Sequence, residues 1–311
     1  MTTIRRFAVV AFAVACAHLV FGAIVRISGS GMGCGDHWPK CYGHWFPPLD
    51  RPDLVVEVSH RYLASILLLS ITALVVSAYR RRAEPGVGGR GGVLRAACLA
   101  LALAVSAALL GAVTVKLGNA PFATLAHWTV AMSLVATVAA CVMRTGGLGA
   151  SAAWGGGTSP KTRRGGAIAA TLALLAVVLG GLTAKYPGAA VACRSFPGCG
   201  AHSDISSAAL HIQLSHRVLA FLVLLHLLGV AMAVRKRQEN AVVRRAAAIA
   251  LGAAVLQWIV AGAMIGLHLP PVLRSLHEAT GVTLWIAAFV LAYLARIASG
   301  AAGEPPVWRA T

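Results

Sequence analysis

Four histidines carry the chemistry that this sequence offers. The run Ser59-His60-Arg61-x-Leu63-Ala64 recurs as Ser215-His216-Arg217-x-Leu219-Ala220, and Leu125-x-His127 is answered by Ser275-Leu276-His277. Imidazole is a good axial ligand for haem iron, and two helices facing each other across a four-helix core supply both nitrogens. A zinc or other transition-metal site would recruit Cys, Asp or Glu beside the histidines, which only His60 offers, through Glu57. The leading reading is therefore two bis-histidine haem pockets, His60 with His127 and His216 with His277. The plainer alternative is that each is a hydrogen-bonded packing residue between helices. Arg61 and Arg217 follow their histidines directly; each either pairs with a haem propionate or snorkels to the headgroups.

The elements that must position these residues are membrane spans. The 311 residues are 58% hydrophobic, with only 27 Lys+Arg and 9 Asp+Glu, a balance that excludes disordered, collagen-like and nucleic-acid-binding classes. Apolar stretches predict eight spans, at 7–27, 55–78, 94–115, 122–143, 166–184, 209–233, 243–267 and 273–297. The first, Phe7 to Ile27, is too long for a cleaved signal peptide and is read as a span. Basic clusters fall in alternate connections: Arg80, Arg81 and Arg82; Lys161, Arg163 and Arg164; Arg235, Lys236 and Arg237, with Arg5 and Arg6 at the start and Arg296 and Arg309 near the end. That bias puts both termini in the cytoplasm, where the basic residues also attract anionic lipid and account for the net charge of +18. All four histidines then fall roughly 6–10 Å below the outer boundary, in one layer.

The recurring motifs make the chain a tandem repeat: 1–145 and 166–311 are four-helix halves, joined by a Gly-, Ser- and Arg-rich cytoplasmic linker, 146–165. Gly22 with Arg26 is paired with Gly181 and Lys185, and Gly111 with Gly262. His18 and His226 have no partner at matched depth and read as packing residues, while His37, His44, His202, His211 and His268 fall in or near outer loops.

Four of the seven cysteines stand in outer loops as Cys34-x6-Cys41 and Cys193-x5-Cys199. On the oxidising side of a bacterial membrane each pair is expected to close a disulfide, with a structural or a redox role equally open. Glu57 stands three residues before His60, on the same helix face, and its counterpart is Gln213. That asymmetry is expected if the first half does proton-linked chemistry and the second holds a permanent cofactor. Glu278 follows His277 and reads as a supporting partner.

The string Gly22-x-x-Val25-Arg26-x-Ser28-Gly29-Ser30-Gly31-Met32-Gly33-Cys34, then Trp38-Pro39-x-Cys41, then Glu57-x-x-His60-Arg61, resembles the haem A synthase family. The resemblance runs through both halves to His277. It implies an eight-helix duplicated bundle in the bacterial plasma membrane that oxidises a methyl group of haem O to a formyl group. It further implies that His60 and His127 hold the substrate haem, His216 and His277 a haem b, that Cys34 and Cys41 are the family's loop pair, and that Glu57 is its acidic residue. Cys193 and Cys199 are not shared by every member. Residues alone keep a di-haem b electron carrier as the alternative, and a repeat-built transporter behind it. The electron donor, the source of the added oxygen, docking of a haem O synthase and a homo-oligomeric state stay open.

Overall fold

A computed structural model describes residues 1–200 and 206–301; His202 and Arg309 lie outside the described residues. Eight helices are long and apolar enough to cross a membrane: α1 (Thr2–Ile27), α2 (Pro52–Arg80), α3 (Val93–Lys116), α4 (Pro121–Arg144), α5 (Pro160–Lys185), α6 (Ser207–Lys236), α7 (Ala241–Gly266) and α8 (Pro271–Ala298). These helices match the predicted spans and mostly extend them by up to six residues, because helical backbone continues into the polar flanks that a hydropathy window leaves out. Proline at the first turn starts α2, α4, α5 and α8, where its missing N–H costs nothing. Among the described residues there is no strand, only an isolated bridge between Cys41 and His44.

The helices form two rings of four, α1–α4 and α5–α8, that meet through α1, α4, α5 and α8. The central helices are α4 and α8, in which 50% and 56% of the apolar window is buried, against a third or less in the other six. The odd-numbered helices bury small-residue stripes: Ala8, Ala11 and Ala15 on α1, Ala96, Ala97, Ala100 and Ala104 on α3, Ala169, Ala170 and Ala173 on α5, and Ala246, Ala247, Ala250 and Ala254 on α7. In a bilayer, where hydrocarbon solvates apolar side chains as well as protein does, such stripes let backbones approach and gain dispersion contact. That approach brings the carbonyls of the odd helices within reach of side chains on the even ones.

The connection between the rings is folded. Residues 146–165 contain a helical turn, Ala150–Ala153, and the last six belong to α5. Thr158 N donates to Ala298 O, Asn240 Nδ2 to Gly156 O and Asn240 N to Gly157 O. Composition marks this segment as a linker; tertiary hydrogen bonds fix it to the α6–α7 turn and to the end of α8. Buried Glu239 is the centre of this contact, accepting from Ser159 N (2.8 Å), Ser159 Oγ (2.6 Å) and Thr162 Oγ1 (2.7 Å), with Arg237 at 3.7 Å. Burial alone would raise the Glu239 pKa, but these donors outweigh it and hold the carboxyl below its ordinary range.

A depressed carboxylate pKa adds stability that is present above the unfolded value and lost as pH falls through the folded one. Glu239→Ala should lower stability by about 1–3 kcal/mol near neutral pH. Thermal unfolding in detergent at a series of pH values should show the wild-type advantage shrinking on acidification; an advantage constant with pH would refute the ionised state.

Candidate functional site

A single cavity of about 1200 Å³ runs through both rings at the end of the molecule that carries the long loops, and His60, His127, His216 and His277 all border it. Three of them share a construction. The His127 ring lies against Gly111, whose ideal Cβ would stand 3.4 Å from Cε1, and its Nδ1 donates to Ala107 O at 2.8 Å. His216 lies against Gly180, with a would-be Cβ at 2.9 Å, and donates from Nδ1 to Ala176 O at 3.1 Å. In both, the acceptor lies one helical turn before the glycine, so one small-residue helix supplies the seat and the hydrogen bond. His60 lies against Gly22 in the same way (3.2 Å), but its buried Nδ1 has no partner. The edge of His277 takes the amide of Gln257, 3.1 Å from Nδ1 and 3.3 Å from Nε2, and Thr280 Oγ1 donates to Gln257 Oε1 in turn.

This arrangement fits haem. Where Nδ1–H is spent on a carbonyl, the tautomer is fixed and Nε2 keeps a free lone pair, the usual state of a ligating imidazole. The wall is mostly alanine, valine, leucine and glycine, as a porphyrin face requires. No group of three or more His, Cys, Asp or Glu side chains close enough to bind a metal ion occurs among the described residues.

The arginines beside the histidines have other partners than expected. Arg61 donates to His37 O, Pro39 O and Lys40 O and to Glu57 Oε1 (2.5 Å). Arg217 donates to Cys193 O, Ser195 O, Pro197 O and Gly198 O, leaving its buried Nε unpartnered. Each clamps one loop. The loops are closed by Cys34–Cys41 and Cys193–Cys199 disulfides, with Cα–Cα distances of 4.9 and 4.4 Å. The first packs on Leu54 and Val58 of α2; in the second, Phe196 meets Trp258 edge-on at 5.2 Å.

Glu57 borders the cavity, but both oxygens are engaged: Oε1 by Arg61 and Oε2 by Cys34 N (2.8 Å). Its counterpart Gln213 is buried with Oε1 unpartnered. Glu278 makes an ion pair with Arg26 that ties α8 to α1 across the two rings. Sequence reasoning missed that pair, along with Gln257, Thr280 and His18. His18 borders the cavity and stacks on His60. The sign that could have found it is its place one helical turn before Gly22. The glycine seating His216 is Gly180, one residue before the Gly181 that sequence pairing selected, which instead packs against Trp128. His226 is a packing residue, donating from Nε2 to Gly165 O at 2.8 Å.

Eight spanning helices around an imidazole-lined cavity define a multi-pass membrane protein built to bind a large planar group. The chain belongs to the COX15-CtaA family, described as cytochrome oxidase assembly protein, whose model matches residues 5–57 and 51–289. It is 28% identical over 250 residues to a "Heme A synthase" of Geobacillus kaustophilus, covering 79% of this chain and 77% of the relative. A second "Heme A synthase", of Geobacillus thermodenitrificans, is 26% identical over 255 residues, with the same shares covered. A "Protoheme IX farnesyltransferase" of Thermus thermophilus is 38% identical over 101 residues, 32% of this chain and 16% of that protein.

Arg217→Gln should free the second loop, because an uncharged amide cannot serve four carbonyls. Timed alkylation and peptide mass mapping should show Cys193–Cys199 reduced several-fold faster by a small thiol than in the wild type, with Cys34–Cys41 unchanged. Equal rates would mean that the clamp does not hold the loop.

Proposed function

We propose that the chain is a haem A synthase, oxidising a methyl group of haem O to a formyl group in a bacterial plasma membrane. The observation that carries this reading is the pair of imidazoles, His127 and His216, seated on glycine with Nδ1 tied to a carbonyl, inside one apolar cavity. The relatives' shared name favours oxidation of the haem over the electron-carrier alternative. The protohaem farnesyltransferase similarity supports a substrate delivered by a haem-farnesylating partner.

In finer terms, residues 1–145 hold the substrate haem through His60 and His127, and residues 166–311 hold a haem b through His216 and His277, as duplicated halves with both termini cytoplasmic. Basic residues at the opposite end from the disulfide loops, among them Arg5, Arg80, Arg144 and Lys236, support that orientation. Bound haem supplies the redox chemistry that oxidation of an unactivated methyl group needs. The chain orients it and excludes water. Arg61 and Arg217 border the outer end of the cavity, and the free Nε of Arg217 is the donor left for a propionate. Methyl oxidation releases protons, and Glu57 Oε1, held against Arg61 at the wall of the first pocket, is placed to accept one. Cys34–Cys41 closes the lid above that pocket, and Cys193–Cys199 the other.

His216→Ala or His277→Ala should abolish the tightly held haem; purified variants that keep a full six-coordinate low-spin spectrum would remove these residues from the ligand set. Glu57→Gln should preserve folding and that spectrum while lowering haem A formation about 10²-fold or more, read by mass analysis of porphyrins extracted after incubation with haem O. Wild-type product levels would make the carboxylate incidental.

A further inference from the structure

One position in the histidine layer departs from the pattern of the others. One helical turn before the glycine that faces each histidine stand Ala107 for His127, Ala176 for His216 and His18 for His60, and His277 takes Gln257 from α7. Ala107 and Ala176 offer a backbone carbonyl and Gln257 a side-chain amide, each hydrogen-bonded to its imidazole. His18 instead offers a ring. Its centroid lies 4.2 Å from that of His60 with the planes 14° apart, a face-to-face stack, and Phe21 lies nearly parallel to His60 at 6.3 Å. His60 Nδ1 and His18 Nε2 are both buried without partners.

We propose that His18 is the positioning residue of the first pocket: it sets the plane of His60 by stacking, in place of the hydrogen bond that fixes its counterparts. This rests on the reading of His60 as a ligand of the substrate haem. A ligating imidazole whose Nδ1–H has an acceptor is locked in orientation and made a stronger donor. Without one, His60 is a weaker and more exchangeable ligand, and its ring would turn freely were it not held between Gly22 and His18. Such a ligand suits a pocket whose haem must leave as product; the bonded ligand His216 suits one whose haem stays. At the position matching His18, Ala176 has no side chain that could stack.

The test loads detergent-purified protein with haem O and follows its transfer to excess apomyoglobin, alongside the low-spin electron paramagnetic resonance signal, whose anisotropy reports axial-ligand planes. His18→Ala should release haem O about tenfold faster or more and shift the first-site signal, leaving the second-site signal as an internal check of folding. His18→Phe, which keeps a stacking ring without nitrogens, should restore both readouts. Unchanged release and signal in His18→Ala would overturn the proposal, as would His18→Phe behaving like His18→Ala, since a nitrogen rather than the stack would then be at work. His60→Ala separates the underlying reading: haem O retained with an unaltered signal in that variant would mean that His60 is no ligand at all.

Discussion

An imidazole inside a membrane must have its N–H satisfied by protein, because no water is there to do it. At His127 and His216 one device meets this requirement. A helix with a small-residue face exposes a carbonyl and, one turn later, a glycine; the ring from the adjacent helix rests its Cε1 against the glycine and donates to the carbonyl. The alanine stripes of α3 and α5 are what allow the approach, since a larger residue at Gly180 would meet His216 at 2.9 Å or less. Packing and the orientation of the imidazoles therefore share the same residues. A substitution that loosens the packing of an odd helix also misplaces a ring on an even one.

Adjacent residues on a helix point about 100° apart, which gives the His-Arg dipeptides their logic. The histidine of each pair faces the cavity while the arginine reaches the loop, so one turn of helix orients both the imidazole and the loop above it. Burying a guanidinium is costly unless its donors are used, and the carbonyls of two tight disulfide loops use them. In the first ring Glu57 completes the tie by taking both Arg61 and Cys34 N–H. In the second, Gln213 does not, and four carbonyls surround Arg217 instead. The same scaffold is thus held by a charge pair on one side and by neutral acceptors on the other.

Hydropathy made the eight helices legible to within a few residues at each end, and the recurring Ser-His-Arg motif made the four histidines legible as one set. What stayed hidden depends on rotation and register between helices, which the period of a single helix does not encode. Arg26 and Glu278 are far apart in sequence, and nothing in either span indicates that α1 and α8 touch. Gly, Ser and Arg in 146–165 read only as a linker because composition carries no information about Glu239, whose donors Ser159 and Thr162 lie in that segment while Arg237 stands beside it in the α6–α7 turn. His18 was set aside for want of a matching histidine. The physical equivalence is in what the position does for its neighbour, and a carbonyl, an amide and a ring can each occupy it.

The contacts between the rings differ along the membrane normal. Toward the loop end they are polar, with Arg26 on Glu278 and the Trp128 indole donating to Val177 O; deeper they are apolar, with Trp285 packed among Met132, Val135 and Ala288 and its N–H spent on Met132 O. A polar contact within hydrocarbon has few alternative partners, so Arg26 and Glu278 fix the register of α1 against α8 more sharply than apolar packing would. Because His277 immediately precedes Glu278, that register also sets where the second ring presents its imidazole to the shared cavity. The ion pair, whose two residues both border that cavity, in this way fixes how the two rings share it.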